Sequence, residues 1–143
     1  MRHDVTGGDH TSTAVIPSTR YVDVDNDGDL DVVVAPGVGP ILVYRNNSTR
    51  NRIAFELRDD IGNRSGIGSR ILITYGSGDT RHQMRELQAS GGFTSFDAPV
   101  AYFGLGDFDR VDRVEVQWPT GERSETHADF PAGTRYFLDR TAR

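Results

Sequence analysis

The segment Asp23-Val-Asp25-Asn-Asp27-Gly28-Asp29-Leu-Asp31 packs five carboxylates into nine residues. Like charge at that density repels itself unless a cation or a set of donors offsets it. Asp23, Asp25 and Asp27 stand at positions 1, 3 and 5 of a tight loop, and Gly28 at position 6 permits a sharp turn. Asp29 at position 7 offers its backbone carbonyl, and Asp31 at position 9 offers a further carboxylate able to bind through both oxygens. Ca²⁺ takes about 6–8 oxygens at about 2.3–2.6 Å, and this spacing wraps oxygens around one point. Mg²⁺ suits the loop less well, because it prefers few protein ligands and keeps its waters. The expected metal site is therefore Asp23, Asp25, Asp27, Asp29 and Asp31, with Ca²⁺ as cofactor. The competing reading is an acidic surface turn without an ion, and for Asp29 a side chain that simply faces solvent.

Position 12 of the loop is Val34 rather than Glu, and both flanks are β-branched runs. The loop is thus expected to join strands, not helices. Tyr21-Val-Asp-Val enters it, Leu30-Asp-Val-Val-Val-Ala35 leaves it, and Ile41-Leu-Val-Tyr-Arg45 follows the turn Pro36-Gly-Val-Gly-Pro40. Further strands are expected at residues 53–58, 69–75, 80–87, 100–103, 110–118 and 134–138, bounded by turns such as Gly76-Ser-Gly78-Asp79 and Pro119-Thr-Gly121-Glu122. Val114, Val116 and Trp118 share one face and Arg113, Glu115 and Gln117 the other, the alternation of a half-buried strand. About nine or ten strands at this spacing predict an all-β chain, a β-sandwich or a compact barrel, preceded by the calcium hairpin. Residues 1–19 read as a flexible tail with a short strand near 14–16, residues 20–50 as the calcium-binding hairpin, and residues 51–143 as the main β-domain, with the polar run Asn46-Asn-Ser-Thr-Arg-Asn51 between the last two.

Composition excludes several chemistries. Cysteine is absent, which removes disulfides, thiolate nucleophiles and zinc–thiolate sites. All 16 positive charges are Arg, so Schiff-base chemistry through Lys is excluded. A net charge of −5 with its acid concentrated in one loop argues against a nucleic-acid partner. No apolar run approaches the roughly 20 residues of a membrane helix. The opening residues hold no apolar signal core, so the chain reads either as part of a longer exported protein or as one that stays inside the cell.

Residues 21–46, with their D-x-D-x-D-G-x-L-D loop, Val-rich strand and closing Leu-Val-Tyr-Arg-Asn-Asn, resemble an FG-GAP/VCBS repeat, the blade unit of calcium-bearing β-propellers. One blade cannot close a propeller. Residues 51–140 resemble the ASPIC/UnbV domain through Gly62-Asn-Arg-Ser-Gly66-Ile-Gly68-Ser-Arg70, Ser90-Gly-Gly-Phe93-Thr-Ser95, Tyr102-Phe-Gly104-Leu-Gly106, Val111-Asp-Arg-Val-Glu-Val-Gln-Trp118-Pro-Thr-Gly121 and Phe130-Pro-Ala-Gly-Thr-Arg-Tyr136. The two resemblances imply a secreted or periplasmic setting, calcium, and no established reaction.

Other residues carry weaker signals. Gly62 to Gly68 could cradle phosphate, but no Lys follows and the context is a hairpin, so a glycine-rich turn is the better reading. Ser95 with His82 or His127 would need a converging acid to act as a nucleophile. His3, His10, His82 and His127 lack metal spacing, and Asp107 with Asp109 read as a solvated turn rather than a glycosidase pair. Trp118 is expected in the core, while Phe93 and Phe96, if exposed, would suggest a sugar-stacking face. No convergent catalytic set is visible. The expected function is a non-enzymatic extracytoplasmic calcium module with a structural, adhesive or interaction role, with a protein or glycan partner or self-association through an open strand edge. The alternatives are an accessory domain of an enzyme in secondary metabolism or polysaccharide processing, and a carbohydrate-binding module.

Overall fold

The computed structural model describes residues 18–60, 62–77, 80–90 and 97–140. The short strand expected at 14–16, His3, His10 and the segment carrying Phe93, Ser95 and Phe96 lie outside these. The described residues form ten strands and no helix.

β1 (Ser18–Val22), β2 (Asp31–Ala35) and β3 (Leu42–Tyr44) make one antiparallel sheet in that order, with the acidic loop between β1 and β2. The expected hairpin is thus three strands, and β1 begins within the segment read as a tail. The remaining strands build two more sheets. β4 (Asn51–Arg58) lies between β10 (Arg135–Asp139), its parallel neighbour, and β7 (Val100–Gly106), its antiparallel one. The second sheet runs β6 (Arg81–Glu86), β5 (Arg70–Tyr75), β8 (Arg110–Gln117), β9 (Arg123–Pro131), antiparallel throughout.

These two sheets share one core. Ile53, Phe55 and Leu57 of β4 and Ala101, Phe103 and Leu105 of β7 meet Ile71, Ile73 and Tyr75 of β5 and Val111, Val114 and Val116 of β8. Period-two alternation puts each set on one face of its strand. Phe55 sits at the centre, with Phe103 edge-on at 6.1 Å, Phe130 edge-on at 5.5 Å and Tyr136 stacked at 5.9 Å. β8 departs from strict alternation, because Val111 and Val114 are both buried although three residues apart. A register shift against β9 between Val111 and Arg113 absorbs the extra residue, as a β-bulge does.

The architecture is a sandwich rather than a closed barrel. No backbone ladder joins β6 to β7 among the described residues; the seam is bridged by a side chain, Gln83 Nε2 donating to Gly104 O at 2.8 Å. β9 is the strand that the alternation of apolar residues does not reveal. Its sequence, Arg123 to Pro131, is polar but for Ala128 until Phe130, and it exists because the turn at Pro119–Gly121 folds it back on β8. In that turn Trp118 N donates to Glu122 O at 2.8 Å and Gly121 takes φ 88°.

Candidate metal centre

The acidic loop is held shut by its own backbone. Asp23 accepts from Asp27 N at Oδ1 and from Gly28 N at Oδ2, both at 3.0 Å, and Asp27 Oδ1 accepts from Asp29 N at 3.0 Å. Two residues in the left-handed region, Asn26 at φ 58° and Gly28 at φ 91°, supply the curvature. Asp31, only 1% exposed, ties the loop's exit to its surroundings: Oδ2 accepts from Val24 N at 3.0 Å and Oδ1 from Asn46 N at 2.7 Å.

This geometry gathers one carboxylate oxygen from each of Asp23, Asp25 and Asp27 within 4.8 Å of one another. Two oxygens on opposite sides of a calcium ion stand about 4.6–5.2 Å apart, so the three can touch one ion. The donor set is hard oxygen, which suits Ca²⁺. Asp29 and Asp31 lie outside this cluster of three, Asp31 being committed to backbone amides. The side chain of Asp29 does not face solvent, as the competing reading had it; it is buried. Burial, then the neighbouring Asp27, raise its carboxyl pKa above the ordinary value, with Arg52 opposing them.

Two arginines that the loop motif does not contain complete the electrostatics. Arg45, just after β3, pairs with Asp25. Arg52, on β4, donates through Nε to Asp27 O at 3.1 Å and stands 3.3 Å from Asp27 Oδ1. Arg52 therefore fastens the loop to the sandwich, and Arg20 of β1 adds a second tie to Asp97 at 3.4 Å. Tyr102 faces the same junction, and burial raises its phenol pKa, with Arg135 opposing and Asp23 reinforcing. Sequence pattern alone ties neither the arginines nor Tyr102 to the loop, because Arg45 reaches it through the pairing of β2 with β3, and Arg52 and Tyr102 come together through the pairing of β4 with β7.

The other candidate residues are engaged locally. Thr74 Oγ1 and His82 Nδ1 hydrogen-bond at 3.1 Å across the β5–β6 pair. Asp107 stands 3.7 Å from Arg50, and Asp109 bonds Arg110 at 3.1 Å, which holds its carboxyl below the usual range. The Gly62–Gly68 stretch bonds to itself: Gly66 N donates to Asn63 O at 2.8 Å and Ile67 N to Asn63 Oδ1 at 3.0 Å. Trp118 is buried, its Nε1 donating to Ser124 Oγ at 2.9 Å. Among the described residues no helix is long and apolar enough to cross a membrane.

A cluster that the sequence does not announce lies beside that tryptophan. Arg140, following β10, bonds the buried Asp59 at 2.8 Å and Thr120 Oγ1 at 2.9 Å, pairs with Glu122, and lies 5.2 Å from the Trp118 ring. It pins the chain's last strand to the β8–β9 turn.

Residues 59–143 match the family described as ASPIC and UnbV. Cartilage acidic protein 1 of Mus musculus is 32% identical over 105 residues, covering 70% of this chain and 16% of that protein. The same protein of Homo sapiens is 32% identical over 105 residues, covering 70% of this chain and 15% of its own length. The chain thus spans about a sixth of the length of these relatives. No solved structure matches it significantly. The acidic loop precedes the matched family segment, whereas the sandwich from Asp59 onward falls within it, and on that basis the chain belongs to the ASPIC and UnbV family.

Proposed function

We infer that this chain is an extracytoplasmic calcium-binding module, in which one Ca²⁺ fixes an FG-GAP/VCBS-type repeat against the ASPIC/UnbV sandwich. The observation that carries the reading is the convergence of Asp23, Asp25 and Asp27 within 4.8 Å in a loop already closed by backbone donors. The side chains of these three would hold the ion. The Asp29 carbonyl and water would complete the shell, and Asp31 would keep the loop in register. Bound Ca²⁺ supplies positive charge and no redox chemistry. In its absence Arg45 and Arg52 partly neutralise Asp25 and Asp27.

The role that fits is structural and adhesive. The three-stranded sheet exposes apolar side chains, among them Val43 at 54% and Tyr44 at 43%, and β3 is an edge strand. Apolar exposure on an open edge suits contact with another protein surface or with a second copy. The relatedness to a protein named for cartilage and acidity supports an extracellular setting.

Calcium calorimetry on the wild-type chain and on Asp25→Asn tests the reading. Asp25 is the better probe than Asp31, because its carboxylate pairs with Arg45 whereas Asp31 accepts from the Val24 and Asn46 amides, so its loss leaves the loop's closure intact. One saturable site, lost in the variant, is expected, with a stabilisation of about 2.7 kcal/mol at a free concentration 100-fold above Kd. No heat of binding, with identical melts in calcium and in chelator, sinks it.

A further inference from the structure

Each carboxylate that converges in the acidic loop already has a partner. Asp23 accepts two backbone amides, Asp27 accepts Asp29 N and meets Arg52, and Asp25 pairs with Arg45. The two arginines differ in what holds them. Arg52 is anchored by carbonyls: Nε and Nη2 donate to Asp27 O, and Nη1 donates to Ser48 O at 3.2 Å. It keeps its place whatever the Asp27 carboxylate binds. Arg45 has no such anchor. Among the described residues it pairs with Asp25 alone, and its side chain is 60% exposed.

The loop is nevertheless short of positive charge. Five carboxylates lie between residues 23 and 31, against these two guanidinium groups. Asp29 shows the deficit. It is 6% exposed, neither of its carboxylate oxygens accepts a hydrogen bond, and its ion pair with Arg52 is stretched to 3.8 Å. Carboxylates left in that balance raise one another's energy and favour a further cation.

Geometry makes Arg45 and that cation rivals. A calcium ion stands about 2.3–2.6 Å from each oxygen it binds, and Arg45 already touches the Asp25 carboxylate. A divalent ion and a guanidinium on one carboxylate are roughly 6 Å apart, inside the screening length of physiological salt. At that separation their repulsion in water changes the affinity about tenfold.

We propose that Arg45 competes with Ca²⁺ for Asp25 and so sets the calcium concentration at which the loop fills. The inference rests on the calcium reading above and adds a residue that the loop motif does not contain. Without the ion, the guanidinium serves as the counter-ion of Asp25. On binding, the ion turns it out into solvent, which its exposure permits. Displacing it keeps the site in the weak range of extracellular calcium modules, Kd about 10⁻⁴–10⁻³ M, so the loop fills only where calcium is abundant.

The test is calcium calorimetry on the full chain and three variants, with thermal melts in calcium and in chelator. Arg45→Gln should tighten binding about tenfold. Arg45→Lys keeps the charge and should bind within about threefold of wild type. Arg123→Gln removes the same unit charge from β9, where Arg123 faces Glu115, and should change the affinity less than about twofold. Both arginines are exposed, so the variants keep the fold. The melts should reverse sign: Arg45→Gln melts below wild type in chelator, having lost the loop's counter-ion, and above it in saturating calcium. Wild-type binding that Arg45→Gln leaves unchanged or weakens overturns the competition and spares the calcium site. Equal tightening by Arg123→Gln also overturns it, since net charge alone would then be the cause. No saturable binding by wild type or by Arg45→Gln overturns the site itself, and the competition with it.

Discussion

Replacing Gly66 by Ala separates two physical terms that are usually entangled. Gly66 has φ 62°, and a Cβ built there would stand 2.7 Å from Leu57 Cδ1 and 2.9 Å from Leu57 Cβ. The first contact could be relieved by a rotamer change. The second cannot, because the Leu57 Cβ is fixed to the central strand β4 and its side chain is buried in the core. Something in the backbone must move. Left-handed backbone costs an L-residue about 1–2 kcal/mol, overpacking about 1–3 kcal/mol, and the stiffer unfolded chain returns about 0.4–1 kcal/mol. The net expectation is a loss of about 2–4 kcal/mol. Gly62→Ala is the matched control: it also has positive φ, at 84°, but a Cβ there meets nothing within 4 Å. It should lose about 1 kcal/mol or less. Urea denaturation reads both. With a slope of about 2 kcal/mol per molar, the two midpoints should differ by about 1 M. Equal midpoints would mean that the strand yields freely at Leu57, and would refute the reasoning that this turn is moulded against the core.

Phe55→Ala should destabilise the chain by about 3–5 kcal/mol, because three aromatic rings close on that side chain; a loss under about 1 kcal/mol in denaturant melts would show that the core collapses around the gap. Arg140→Ala should lower the denaturation midpoint by removing the ion pair of the buried Asp59, and adding Asp59→Asn should recover part of the loss; no recovery in that pair would count against the ion pair as the cause. The Tyr102 phenol has a raised folded pKa, so as pH climbs past about 10 the unfolded chain gives up its proton first and stability falls from there until the folded pKa is passed. Absorbance titration should show a late-ionising tyrosine that Tyr102→Phe removes, and an unchanged titration would contradict the burial of this phenol.

How much of this was legible in the chain depends on what carries each feature. Val114, Val116 and Trp118 could be read as one buried face, because alternation is local and the pleat enforces it. The Asp23–Asp31 loop could be read as a tight turn able to gather oxygens, because spacing and Gly28 act over a few bonds. β9 could not, since a polar strand is stabilised by its partner β8 rather than by its own pattern. The inward turn of Val111 was equally hidden, depending on a bulge that only the pairing reveals.

Sequence by itself determined that this chain is all-β, where its main turns fall, and that five aspartates crowd one loop; the structure brings carboxylate oxygens of three of them, Asp23, Asp25 and Asp27, together. Tertiary structure decided the rest. It brought Arg52 from β4 to the loop, buried Asp29 within 3.8 Å of that same arginine, and set Arg140 against Asp59, which lies 81 positions earlier in the chain. The reason is range. Backbone conformation and side-chain alternation are set by neighbours in sequence, whereas the pairing and burial of a charge depend on which distant strand the sheet places beside it.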